Sequence, residues 1–345
     1  MFDAPISPFI ATLPKAELHM HLEGSLEAEL MFELAQRNGV AVRWDSADAV
    51  REAYRFENLQ SFLDLYYDGC RVLQTERDFF DLTDAYLRRA HADGVLRAEV
   101  FLGPQSHTRR GVAMGPMMDG TLAAIDAAQA RDGMSCGLLL GAQRQLPEDD
   151  ALAMLDASMP WADRILGFGL GGAERGNPPS KMQRFFAACR ERGFRVTAHA
   201  GEEGPADYVR ASVELLQVDR IDHGNACMDD PALVADLAQR GIALTVCPLS
   251  NLRLQVVETM EAHPLAAMLR AGLNVTVNSD DPSYFGGYVN DNYRACQDAL
   301  DLTNGDLALL ARNSIAASFQ PPVDIAAQLA RLDAYCVAHA VARPA

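Results

Sequence analysis

The sequence predicts an α/β fold, a single (βα)8 TIM-type barrel, on three observations. Eight short apolar segments, rich in Leu or β-branched residues, alternate with longer stretches of helical periodicity. The chain's unusual polar residues fall at the ends of those segments, where the strands of a parallel barrel converge on one mouth. The 345 residues are 49% hydrophobic and 22% charged, enough for one large core, and no Pro/Gly/Ser-rich linker marks off a second domain. An open doubly wound sheet is the runner-up architecture.

The predicted strands are Ala16–His21, Leu96–Leu102, Ser135–Leu140, Ile165–Leu170, Arg195–His199, Arg220–Asp222, Ala243–Cys247 and Asn274–Asn278. Helical spacing between them is clearest at Pro231–Arg240 and at Pro264–Ala271, the latter ended by Gly272 as a C-cap. Two stretches exceed a minimal barrel. Residues from about 44 to 94, with helices over Leu59–Val72 and Arg77–Ala92, read as a cap inserted after the first βα unit. Residues from about 305 to 345, with a helix over Val323–Ala340, read as a helical extension packed on the barrel. The whole, 1–345, is expected to be one domain.

Composition narrows the partners. Acidic residues number 47 against 30 basic ones, a formal charge of −17, which repels nucleic-acid backbones and anionic membrane surfaces. No apolar run approaches the length of a membrane span, and Met1–Pro14 does not read as a signal peptide. Seven scattered cysteines with no C-x-x-C pair suit a reducing cytoplasm better than a disulfide framework.

The strand ends carry the chemistry. His19 and His21 end the first strand, His199 the fifth, Asp222 and His223 the sixth, and Asp280–Asp281 follow the eighth. Alternate residues of a strand project to one face, so His19 and His21 can grip one metal ion. His199 adds a third nitrogen and Asp280 an oxygen, a set that suits zinc with a position open for water. His107, His263 and His339 are read as structural. The run Gly167–Gly172 satisfies G-x-G-x-x-G, but Ala-Glu-Arg-Gly-Asn-Pro-Pro follows it, a poor start for the helix a dinucleotide site requires. His21-x-Glu23 matches half of the nucleic-acid deaminase signature, whose Cys-x-x-Cys half is missing.

Six segments together resemble the adenosine/adenine deaminase group of the amidohydrolase superfamily: ELHMHLEGSL (17–26), AHAGEEGP (198–205), RIDHG (220–224), VCPLSN (246–251), HPL (263–265) and VNSDDPSYFGGYVNDNY (277–293). They span nearly the whole chain in the group's order. The resemblance implies one Zn2+ per chain on His19, His21, His199 and Asp280. It implies that Glu202 protonates purine N1, that His223 orients the attacking water and moves its proton, and that Asp281 binds the imidazole edge of the ring. Gly172 and Glu174 match positions that bring a backbone N–H and an acid to the purine. Gly169 stands where the group usually has an acid.

Where adenosine deaminases typically read H-x-H-L-D-G, this chain has Glu23, whose extra methylene is expected to crowd a ribose. With IDHG and SDDPSYFGGYVNDN, this resembles the adenine deaminase branch. The expected reaction is hydrolysis of adenine to hypoxanthine and ammonia in purine salvage and nitrogen catabolism. Adenosine or N6-substituted (cytokinin-like) adenines are the alternative substrates. A nicotinamide-dependent oxidoreductase and a non-catalytic purine or metal binder are the remote alternatives.

Overall fold

The structure is a computed structural model and describes residues 5–341; the last four residues of the expected C-terminal extension lie outside them. Eight strands form one sheet: β1 (Lys15–His21), β2 (Val95–Leu102), β3 (Ser135–Gln143), β4 (Ile165–Gly171), β5 (Arg195–Ala200), β6 (Arg220–His223), β7 (Ala243–Val246) and β8 (Asn274–Val277). They are hydrogen-bonded in sequence order, and every pair is parallel. Each lies within about three residues of its sequence expectation, because a strand buried on both faces shows itself as a short apolar run.

The seam between β8 and β1 closes just beyond β8. His21 N–H donates to Asp280 O (2.9 Å) and Asp280 N–H to His19 O (3.1 Å), and Asn278 Oδ1 accepts from Leu18 N–H (2.8 Å). Helix Asn304–Ala316 covers this seam, with Ser314 Oγ accepting from Ala16 N–H (3.0 Å) and Asn313 Nδ2 donating to Val275 O (3.0 Å).

Local signals set the helix limits. Asp230 caps Pro231–Arg240 by accepting from two backbone amides, Pro231 opens it, and Gly241 ends it in the left-handed region. Thr75 and Asp78 form a capping box on helix Glu76–Ala92. That helix packs against β2 and the helix Met114–Asp132, as a ring helix does. The part of the expected cap that lines the mouth is therefore shorter, the helix Leu59–Gly69.

The barrel interior is polar at both ends. At its floor Arg220 and Glu99, both fully buried, pair at 2.8 Å; Arg97 Nε reaches Glu99 at 3.2 Å, and Arg220 also donates to Leu18 O. Phe319 lies against the Arg220 guanidinium at 4.2 Å and gives its backbone N–H to Glu99 (2.7 Å). The C-terminal segment thus plugs the floor, and the chemistry is left to the other end.

Candidate active site

At the mouth, β1, β5 and the turn after β8 bring four donors together. His19 Nε2 and His21 Nε2 stand 3.1 and 3.2 Å from His199 Nε2. Asp280 Oδ1 is 3.4 Å from each of the first two. Three imidazole nitrogens facing one another at such distances present lone pairs to a common point. The tautomer of His19 agrees: its Nδ1 lies 3.2 Å from Thr245 O and 3.0 Å from Thr245 Oγ1. A donor at Nδ1 leaves Nε2 unprotonated.

Behind His199 stands Asp222, whose Oδ2 is 3.4 Å from His199 Nδ1. It accepts from Thr197 Oγ1 (2.8 Å) and Thr245 Oγ1 (3.0 Å). Burial opposes its charge, but His199 at its Oδ2, then His19 and Arg220, more than offset this and hold the carboxyl well below the usual range. The quartet, with His199 backed by a carboxylate and His19 by Thr245, fits a divalent cation on the chemistry of its donors.

The other sequence candidates surround this quartet. His223 is fully buried, and neither ring nitrogen makes a hydrogen bond among the described residues. Its Nε2 lies 3.5 Å from Glu202 Oε2 and 3.9 Å from Asp280 Oδ2. Burial pushes its imidazole well below the ordinary pKa. Burial, then the charges of Asp280 and Glu174, push the Glu202 carboxyl well above its ordinary range. His223 (φ +65°) and Asp280 (φ +63°) both adopt the left-handed backbone region, a strain of about 1–3 kcal/mol each, found mostly where function requires it. Asp281 lines the cavity with a buried, unpartnered Oδ1. Gly24 makes room for it, since a Cβ there would lie 2.0 Å from that oxygen.

The cavity is about 650 Å³ including its open mouth, within the range of small-ligand sites. His21, His199, Glu202, His223, Asp280 and Asp281 form its deep wall; Leu59, Phe62, Leu63, Tyr66 and Tyr67 roof it. Gly172 (φ +87°) also lines it; a Cβ there would strike Gln145 at 2.3 Å. Two expected substrate contacts lie one layer behind the wall. Glu23 is buried, with Oε1 accepting from Gly103 N–H (2.9 Å) and lying 2.9 Å from His107 Nε2. Glu174 is fully buried, and the backbone of residues 201–204 binds its carboxylate.

Gly169, which replaces an acid, faces Phe101: a Cβ would stand 2.6 Å from that ring, which stacks on His21 with centroids 5.1 Å apart. The glycine run ends one residue past β4, and the chain continues as a loop to Pro178, so it does not open the helix of a dinucleotide fold. Sequence reasoning gave no role to Arg144, Thr245 or Asp222, whose contacts join strands far apart in the chain.

Comparison with known proteins agrees with this geometry. A family model described as adenosine deaminase matches residues 14–335. An adenine deaminase of Rhodopseudomonas palustris is 58% identical over 98% of both chains. The crystal structure of an adenine deaminase from Arthrobacter aurescens superposes with a TM-score of 0.93 at 47% identity, covering 94% of this chain and all of that one. A Burkholderia ambifaria amidohydrolase solved with bound Zn gives 0.89 at 28% identity, over 98% and 97% of the two chains. With a match that runs nearly from end to end, the chain belongs to the adenosine deaminase family.

Proposed function

We propose that the protein is an adenine deaminase, hydrolysing adenine to hypoxanthine and ammonia on one barrel domain, with zinc as its resident ion. The observation that carries the reading is the convergence of His19, His21, His199 and Asp280 with Glu202 and His223 at one cavity. Three imidazoles and one carboxylate suit zinc, and the Burkholderia relative was solved with Zn. When bound, such an ion lowers the pKa of a water molecule toward neutrality.

The chain's own residues do the rest. Glu202, whose environment holds its proton, gives that proton to ring N1 and makes C6 electrophilic. His223, beside Glu202 and Asp280, orients the water, takes its proton as oxygen joins C6, and passes a proton to the departing amine. Asp281 pairs with the imidazole edge through its free oxygen, and the Gly172 backbone N–H faces the opposite edge. The proton left on the C6 oxygen returns to Glu202 as ammonia departs, so the product keeps the oxygen as a carbonyl and the new proton on N1.

Free adenine is favoured over its nucleoside by the apolar roof of Leu59, Phe62, Leu63 and Tyr66. Among the described residues no helix is long and apolar enough to cross a membrane. Seven free thiols, six of them buried, suit a cytoplasmic setting.

The test is a comparison of kcat/KM on zinc-loaded protein for adenine, adenosine and N6-methyladenine, followed by absorbance and by chromatography of the product. The expected result is a preference for adenine with hypoxanthine formed. A preference for either other substrate overturns the assignment.

A further inference from the structure

We propose that Glu174 is the positioning residue for Glu202, acting through the backbone of the loop that carries it. This rests on the reading of Glu202 as the proton donor. The observation is an anion-binding nest filled from within. Four consecutive backbone amides, Gly201, Glu202, Glu203 and Gly204, converge on the one carboxylate at 2.8, 3.0, 2.7 and 2.8 Å, and Glu174 has no exposed surface. Such a loop in isolation attracts an anion from solvent. Here the anion is a side chain from the loop after β4, and it fixes all four residues at once.

The carboxylate is itself held. Asn177 N–H closes a turn onto Glu174 O (3.0 Å), and Arg144 Nε donates to Asn177 O (2.9 Å). Arg144 Nη1 donates to His199 O at 2.6 Å and lies 3.9 Å from Glu174 Oε1. One buried network therefore fixes both the end of β5 and the acid that follows it. The close packing shows at Gly204, where a Cβ would fall 2.6 Å from Glu174 Oε1. Gly204 has no positive φ, so alanine is disfavoured there by the carboxylate and by the Tyr208 ring beside it, not by its backbone.

A proton donor misplaced by about 1 Å costs about 10²-fold in rate. Glu174→Gln replaces one acceptor by an amide that faces the loop's N–H groups. Gly204→Ala displaces the carboxylate while keeping its charge. On zinc-loaded enzyme both should lower kcat on adenine by about 10²-fold, with KM and bound zinc per chain little changed. In a Glu202→Gln background, Glu174→Gln should cost almost nothing more, because the group it positions is gone.

A wild-type kcat in both single variants overturns the proposal. So does zinc lost in proportion to rate, or an equal further loss in the Glu202→Gln background; each makes the role merely structural. If Glu202→Gln itself keeps full rate, it is the proton-donor reading that fails. If only Glu174→Gln misfolds, Gly204→Ala decides.

Discussion

Glu202 differs from its neighbour Glu203 in burial and company. Glu202 lies within the wall beside His223 and Asp280, where the charged form is disfavoured. Glu202→Gln should leave zinc bound and lower kcat by about 10²–10⁴-fold, checked by metal analysis beside steady-state rates. Asp222 acts at one remove, by orienting His199. Asp222→Asn should weaken zinc binding by about 10–100-fold, measured by chelator competition. At this scale the sequence was readable where spacing alone implies contact. His19 and His21, two residues apart on a strand, must share a face. Asp222 and Glu174 could not be read in the same way. The first meets a histidine 23 residues earlier, and the second meets a loop 27 to 30 residues on, distances that only the barrel makes short.

Among the elements, the roof of the cavity depends on a strap. Arg110, after β2, donates to the carbonyls of Cys70 (2.6 Å) and Arg71 (3.3 Å) at the end of the cap and lies 2.7 Å from His107 Nδ1; His107 in turn reaches Glu23. Arg110→Met removes that link. Unfolding by urea should show a loss of about 1–3 kcal/mol, and the KM for adenine should rise more than kcat falls.

β1 begins on a fully buried amine, Lys15. Burial lowers the Lys15 pKa to about 7, against the opposing pull of Asp93 and Glu17. Between about pH 7 and 10.5 the unfolded chain binds a proton that the folded one does not, so stability rises with pH there and falls as pH drops toward 7. Lys15→Met should remove that rise, seen as the difference between the two proteins' urea midpoints across the window. Strand positions were legible because each is a short apolar run. The extent of the cap was not, since Glu76–Ala92 is amphipathic like any surface helix and only its packing on β2 marks it as part of the ring.

For the whole molecule, the floor and the mouth divide stability from chemistry. Glu99→Ala leaves Arg220 buried without its counter-ion and should cost about 3–5 kcal/mol, read from equilibrium unfolding, while an active fraction keeps its kcat on adenine.

The ring's closure has a bearing on how the protein is made. The proposed ligands sit on both sides of the seam, His19 and His21 on the first strand and Asp280 past the last, and their own backbones form its final rungs. A ribosome-bound chain that ends before residue 280 can display three imidazoles but cannot close the ring around them. Tight loading with the proposed metal would then wait until the two ends of some 260 residues have met, the slowest kind of contact to form. Metal uptake during synthesis would mark the completion of the barrel.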